Sequence, residues 1–156
     1  MNAAVAFIDD LHRAFEEGDP GASTKHVERT NVDVLREQYR AIARGDFAAA
    51  VGLFADDVEL EILGPQGHPF VGRWSGRDQV AEAMRRNFSM VADQRPEVRS
   101  LAAQGDTLVL LFRERGRFVP TGREYDVHCV QWFTIRDGKV RRVCELIDSA
   151  AAFENG

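Results

Sequence analysis

The chain has 156 residues, of which 44% are hydrophobic and 29% charged, a composition typical of one globular domain with its own core. Its net charge of −5 argues against a nucleic-acid partner, because phosphate binding needs a basic patch. No apolar run reaches the ~18 residues of a membrane helix, so no membrane partner is expected either.

The N-terminus and the cysteines both indicate a cytoplasmic protein. Asp9 and Asp10 interrupt the most apolar N-terminal stretch, a pattern unlike that of a signal peptide. Cys129 and Cys144 lack C-x-x-C spacing, so we expect reduced thiols in the core, with a disulfide as the less favoured alternative. The histidines show no metal-ligand spacing, so neither a metal nor a cofactor is expected.

Two amphipathic helices are predicted near the N-terminus, over residues 3–17 and 32–44. A polar loop is expected between them, and Thr30 or Asn31 is the expected N-cap of the second helix. The predicted domains are therefore a helical extension and a main domain, residues 1–30 and 31–156.

Short helices are predicted to precede a run of strands in the rest of the chain. The expected helices cover residues 47–54 and 76–91, with a first strand between them at residues 58–63. From residue 97 the apolar period becomes two, which predicts four strands: 97–104, 107–118, 125–135 and 139–147. Helices followed by a strand meander favour an α+β fold, with a curved antiparallel sheet packed on helices.

The last two predicted strands form a hairpin around Asp137-Gly138, a dipeptide typical of tight turns. A two-residue turn there would pair Gln131 with Cys144. A three-residue loop that begins one residue earlier would instead pair Gln131 with Val143, and such a slip moves every side chain of one strand to the other face. We favour the three-residue loop because it separates an apolar face from a mixed one.

The favoured register predicts two chemically different faces for this hairpin. The outer face is largely apolar and suits packing or a dimer interface, with Val130, Trp132, Val140, Cys144 and Leu146. The inner face is mixed, as in a ligand cavity, with Cys129, Gln131, Phe133, Val143, Glu145 and Ile147.

Three segments resemble a known family: Y-R-A-I-A-R-G-D-F-A-A-A-V-G-L-F-A-D-D-V, P-T-G-R and F-T-I-R-D-G-K-V-R-R-V-C-E-L-I-D. In this order they resemble the SnoaL-like polyketide cyclases and ketosteroid-isomerase-related proteins of the nuclear-transport-factor-2-like (NTF2-like) superfamily. The resemblance runs from residue 32 to the C-terminus. It implies a cone-shaped α+β barrel with a curved sheet wrapped around N-terminal helices, a deep apolar pocket, and a homodimer formed through the outer sheet face.

The residues that carry the chemistry of these relatives are absent. The isomerase uses an aspartate base and an oxyanion hole of a tyrosine and a protonated aspartate. The resemblance places these positions at Ile62, Gln38 and Gln131. The histidine and aspartate of the cyclases match near Arg117 and Gln131. Neither activity is carried over, because a glutamine donates a hydrogen bond but moves no proton at neutral pH.

The candidate catalytic residues are Glu145 and Gln131 on the inner face. Parity along the neighbouring strand, together with the family match, adds Arg113 and Arg115 to the same face. Glu145 beside an arginine is either an inert ion pair or a general base, with the arginine binding an anionic or carbonyl group. The remaining ligand-binding candidates are Tyr39, Trp74 and Phe133.

These features leave the function open between two classes of protein. One is a small pocket enzyme, such as an isomerase, cyclase or hydratase, that acts on an apolar oxygenated compound by proton transfer or hydration. The alternative is a non-catalytic ligand-binding or dimerisation module. The expected partners are an apolar small molecule and a second copy of the chain, bound through the outer sheet face.

Overall fold

The computed structural model describes Arg13 and residues 25–153. The predicted helix over residues 3–17 lies outside this range, apart from Arg13. The described helices are α1 (Lys25–Ala43), α2 (Phe47–Gly52) and α3 (Arg77–Ser89). The described strands are β1 (Phe54–Leu63), β2 (Gly72–Ser75), β3 (Val91–Gln104), β4 (Thr107–Phe118), β5 (Arg123–Arg136) and β6 (Lys139–Ile147).

The six strands form one curved, unclosed sheet in the order β2-β1-β6-β5-β4-β3. Helices precede the strand meander and pack on its concave face, which confirms the predicted α+β fold. One pairing differs from the prediction of an antiparallel sheet, since β1 and β6 run parallel. The chain reaches β6 only after crossing the whole meander, and the sheet is therefore mixed.

Helix α1 begins at Lys25, so the predicted loop before Thr30 and the predicted N-cap at Thr30 or Asn31 are wrong. Tertiary contacts explain the longer helix. The Glu28 carboxylate accepts a hydrogen bond from the Gly105 backbone N–H at 3.1 Å, and the Asn31 amide donates to the Gly105 carbonyl at 3.2 Å. Both side chains are buried, so they hold the first turns of α1 against the β3–β4 turn.

The β5–β6 hairpin turns through two residues, so the favoured three-residue loop is wrong. Asp137 and Gly138 have φ of 53° and 72°, the left-handed pair that a type I′ turn requires, and Arg136 pairs with Lys139. The extra residue lies in the strand instead. Pairing shifts after Ile135–Val140 to Thr134–Arg142, which leaves Arg141 as a β-bulge.

The bulge restores the predicted faces for most of the hairpin. Gln131 pairs with Glu145, and both line the concave side of the sheet. Trp132 points outward and is 53% exposed. Val140 is the exception to the predicted outer face, because it lies on the turn side of the bulge and is fully buried.

The core lies between the concave face of the sheet and the helices. Its fully buried side chains come from every layer, as Leu35 of α1, Val58 of β1, Val80 of α3, Leu108 of β4 and Ile135 of β5 show. At the sheet edge, β3 accommodates Pro96 because an edge strand needs fewer ladder hydrogen bonds. The same concave side encloses a cavity.

The turn geometry predicts the cost of adding a side chain at Gly138. Gly138→Ala is expected to lower the free energy of unfolding by about 1 kcal/mol, because alanine is strained at positive φ. Urea unfolding measures this effect. Gly52→Ala is the matched control, since Gly52 ends α2 with open space around it and alanine favours helix there. Equal destabilisation by the two substitutions would contradict the assigned turn.

Candidate functional site

A cavity of about 390 Å³ opens between the helices and the concave face of the sheet. Most of its wall is apolar, with Phe54, Leu60, Phe70, Met84, Phe112 and Val127 among the lining side chains. Eight polar side chains also line it: Gln38, Tyr39, Asn87, Gln94, Glu114, Tyr125, Gln131 and Glu145. A mainly apolar cleft with a few convergent polar groups is the usual form of a small-molecule site.

One polar cluster is a hydrogen-bonded chain of three residues from three elements. The Tyr39 hydroxyl of α1 donates to Gln131 Oε1 at 2.5 Å. Gln131 Nε2 of β5 donates to Glu145 Oε2 of β6 at 2.9 Å. The structure thus brings together three predicted site residues, and the prediction that Gln131 and Glu145 share the cavity face is confirmed.

Burial dominates the acid–base properties of this chain. It raises the pKa of Glu145, and the hydrogen bond from Gln131 opposes that rise by favouring the carboxylate. Burial, with the charge of Glu145 as a smaller cause, also raises the pKa of Tyr39. Tyr39 is therefore a neutral hydrogen-bond donor at physiological pH, whereas Glu145 is a carboxyl group with a pKa above its ordinary value.

A second polar cluster, the Glu114 cluster, consists of Glu114, Gln94 and Tyr125 in another part of the cavity wall. Gln94 Nε2 of β3 donates to Glu114 Oε1 of β4 at 2.5 Å. The Tyr125 residue is 4% exposed, and its hydroxyl faces the Glu114 carboxylate closely enough to lower the pKa of that group. This hydroxyl lies over Gly116, where an added Cβ would come within 2.5 Å of it.

Glu114 has a pKa raised to about 7, again with burial as the largest cause. The hydrogen bond from Gln94 lowers the pKa, the charge of Glu145 raises it, and a weaker hydrogen bond from Tyr125 lowers it. Burial is the largest cause of a raised pKa at Tyr125, and the charge of Glu114 is the next largest. The cavity therefore holds two carboxyl groups whose charges interact across an apolar interior.

Arg113 and Arg115 lie on the opposite face of the sheet, so their predicted place in the cavity is wrong. Arg113 pairs directly with His128, which also lies on the outer face, and its guanidinium binds Asp126 through two contacts of 2.7 and 2.5 Å. Arg115 lies 4.0 Å from Glu97. Neither arginine reaches Glu145, so the predicted Glu–Arg pair is absent from the described residues.

The pairing of β4 with β5 explains both the error and the missed residue. Their connecting loop places Phe118 opposite Arg123, and this register sends Phe112, Glu114 and Gly116 inward. Strand β4 is apolar on both faces near its start, so the hydrophobic pattern does not show which of its residues point inward. Its second half carries arginine at every odd position from 113 to 117, and this alternation was the available signal for a solvent-facing row.

The other predicted site residues divide between the cavity wall and the surrounding core. Phe133 and Cys129 line the cavity. Trp74 lies on β2 and packs against the core without lining the cavity, with its indole ring over Gly72. His68 is buried against Phe153, with ring centroids 4.4 Å apart.

Burial also lowers the pKa of His68 to about 4, so this histidine is neutral near physiological pH. Its Nδ1 accepts a hydrogen bond from the backbone N–H of Phe70.

Among residues 25–153, no group of three or more His, Cys, Asp or Glu side chains could hold a metal ion. In the same range no helix is both long and apolar enough to cross a membrane.

The raised pKa of Glu114 predicts a pH-dependent stability. The folded protein keeps this proton up to about pH 7, whereas an unfolded chain releases it near 4.5. Rising pH between these values therefore lowers the free energy of unfolding, by at most about 3 kcal/mol from this residue. We expect Glu114→Gln to remove that loss, as measured by urea unfolding between about pH 5 and about pH 8.

The matched control for this measurement is Glu59→Gln, at an exposed position of β1. The free energy of unfolding of this variant should fall with pH as steeply as that of the wild type. Each variant is compared with the wild type because His68 changes the free energy of unfolding in the opposite direction. Its contribution to stability grows as the pH rises from about 4 towards the ordinary histidine pKa of 6.5. Parallel curves for Glu114→Gln and the wild type would show that Glu114 has no raised pKa.

Comparison with known proteins identifies the family. The profile of the SnoaL-like domain matches residues 35–143. A search of curated proteins found no significant match. An NTF2-like protein from Burkholderia xenovorans shares 26% identity with a TM-score of 0.71, over 81% of this chain and 98% of that one.

Two further solved structures are similar in fold. A protein from Jannaschia sp., described as a SnoaL-like polyketide cyclase, has a TM-score of 0.71 at 19% identity and covers 87% of this chain and 95% of its own. A ketosteroid-isomerase-like protein from Catenulispora acidiphila, solved with trimethylamine, has a TM-score of 0.63 at 14% identity, over 76% and 88% of the two chains. From its matched profile and its fold, the chain belongs to the SnoaL-like family of NTF2-like proteins.

Proposed function

We propose that this protein binds an apolar oxygenated compound in its cavity and transfers a proton on it, as an isomerase, cyclase or hydratase. The observation that supports this most strongly is the Tyr39–Gln131–Glu145 chain on the wall of an apolar cavity. The complex of the Catenulispora relative supports small-molecule binding by this fold.

Glu145 is the proposed general base. Its Oε2 accepts from Gln131, and no other side chain of the described residues donates to its Oε1. A carboxylate with a raised pKa is a better base than one with an ordinary value, and burial against apolar walls supplies that rise. Removing a proton α to a ligand carbonyl fits a carboxylate in this setting.

Gln131 and Tyr39 hold the neighbouring groups in place and polarise the ligand, but they do not exchange protons. Gln131 is engaged by Tyr39 at Oε1 and by Glu145 at Nε2, so it fixes the orientation of both. Its second amide N–H remains for a ligand oxygen. The proposed division of work is therefore proton transfer by Glu145 and orientation by Gln131, with no part for Arg113 or Arg115.

A bicyclic ketone tests the proposed proton transfer. 2-Tetralone has acidic protons beside its carbonyl and is small enough for the cavity. We expect the protein to accelerate their exchange in D2O, followed by NMR, and Glu145→Gln to reduce this acceleration by at least about 100-fold. The surface variant Glu59→Gln is the control and should exchange at the wild-type rate.

Equal exchange rates in Glu145→Gln and the wild type would rule out Glu145 as the base. A second outcome favours the alternative function of non-catalytic ligand binding. In that case 2-tetralone raises the melting temperature of the protein but its protons do not exchange. The absence of the family's own acid–base residues at Ile62, Gln38 and Gln131 is the observation that supports this alternative.

We further propose that the outer face of the sheet forms a homodimer. An apolar row crosses four strands there through the pairings of Leu111 with Val130, Val130 with Leu146, and Leu146 with Leu63. Trp132 lies beside this row. Exposed apolar side chains that are contiguous across a sheet mark interaction surfaces more often than scattered ones do.

A charge at the centre of this face should separate the proposed dimer. Trp132→Glu is expected to sediment as a monomer where the wild type sediments as a dimer, because burying an unpaired carboxylate is costly. Val119→Glu is the matched control, since Val119 is 46% exposed in the β4–β5 loop away from the row. A Trp132→Glu protein that still sediments as a dimer would exclude this interface.

A cytoplasmic location is part of the same proposal. Cys129 and Cys144 are both free, and they lie on opposite faces of the sheet. Reduced thiols are usual in that compartment.

A further inference from the structure

We infer that the Glu114 cluster is a subsite for a protonated amine carried by the otherwise apolar ligand. This inference rests on the proposed ligand-binding role of the cavity. It adds a substrate class, a hydrophobic compound with a basic nitrogen. The subsite is separate from the hydrogen-bonded chain that contains Glu145.

The first argument is the charge balance of the cavity. Its wall carries two carboxyl groups, Glu114 and Glu145, while no arginine, lysine or histidine of the described residues lines it. The nearest arginines along β4 lie on the other face of the sheet, where Arg113 already binds Asp126. A buried carboxylate is stabilised by a partner of opposite charge, and a bound ammonium ligand would supply one.

The second argument is the set of unused hydrogen-bond acceptors. Gln94 donates only to Oε1 of Glu114, so Oε2 has no amide donor among the described residues. The Tyr125 hydroxyl faces the same carboxylate, and while it donates its one proton there its oxygen keeps lone pairs that can accept a hydrogen bond. A primary ammonium carries three N–H donors, so it can satisfy both oxygens at once.

The third argument is the shape and the walls of this part of the cavity. Gly116 leaves the space above its Cα to the Tyr125 hydroxyl, and a larger residue would push that ring away. Phe112, Val127 and Pro96 line the cavity on the strands that carry the cluster. Aromatic and apolar walls around one carboxylate suit a cation with a hydrophobic body, since an aromatic face also attracts the charge.

Cation binding at Glu114 is linked to its protonation. The ionisable groups that face it are Glu145 from β6, Tyr125 and Cys129 from β5, and Tyr39 from α1. Burial raises the pKa of the phenols and the thiol, so they stay neutral near physiological pH. The ammonium favours ionised Glu114, and its affinity must therefore rise as the pH passes through about 7.

The test compares two ligands that differ in one group, 2-naphthylmethylamine and 2-naphthylmethanol. We expect titration calorimetry at about pH 8 to show the amine binding about tenfold more tightly than the alcohol. The preference should shrink at about pH 6, where more Glu114 is protonated. Glu114→Gln should abolish the preference, and Glu59→Gln should leave it intact.

Every other outcome overturns the inference. If the alcohol binds as tightly as the amine, or if neither binds, the cavity has no cation subsite. If Glu145→Gln abolishes the preference and Glu114→Gln keeps it, the amine lies at the wrong carboxylate. Circular dichroism and melting temperatures establish that each variant is folded.

The failure of this inference differs from the failure of the proposed function. A protein that exchanges the protons of 2-tetralone but shows no amine preference retains the proposed function without the subsite. A protein that prefers the amine but exchanges no protons has the subsite and lacks the proposed base.

Discussion

Side-chain parity in the three strands β4, β5 and β6 decides which charges lie inside the cavity. Each strand presents alternate residues to the concave face, so a shift of one residue would exchange the inner row for the outer one. Two local features set this parity: the loop between Phe118 and Arg123, and the bulge at Arg141. Glu114, Gln131 and Glu145 all depend on these two features for their place in the cavity.

Two carboxyl groups in an apolar cavity cost folding free energy, since each resists ionisation there. The structure offsets this cost with amide donors: Gln94 for Glu114 and Gln131 for Glu145. Amides stabilise a carboxylate without neutralising it, so the pKa of both groups stays above its ordinary value. An arginine in either place would have held the carboxylate ionised and lowered its pKa instead.

Local patterns, together with the family resemblance, were sufficient to predict the fold class, most strand positions and the inner face that carries Gln131 and Glu145. The parts that could not be predicted depend on contacts between distant segments. The early start of α1 depends on Glu28 and Asn31 meeting Gly105, a residue far along the chain. Apart from Val140, the hairpin faces were predicted correctly from the wrong turn, because a bulge in the strand replaces the extra residue expected in the loop.

The parity of β4 was the decisive limit on predicting the site. Leu108 to Phe112 are apolar at both odd and even positions, so the hydrophobic pattern alone allows either face to point inward. Parity along the strand and the resemblance together placed Arg113 and Arg115 inside, and Glu114 was missed as a result. The row of arginines at alternate positions carried the better information, since a guanidinium without a partner is costly to bury.

The alternation along β5 has a consequence for how such a protein diversifies. Gln131 lines the cavity, and the next residue, Trp132, is exposed on the far side of the same strand. Neighbouring codons therefore govern the chemistry of the cavity wall and that of the outer surface separately. Selection can alter one property by point substitution while leaving the other in place, whereas a single inserted or deleted residue that no bulge absorbs would exchange the two faces for the part of the strand beyond it.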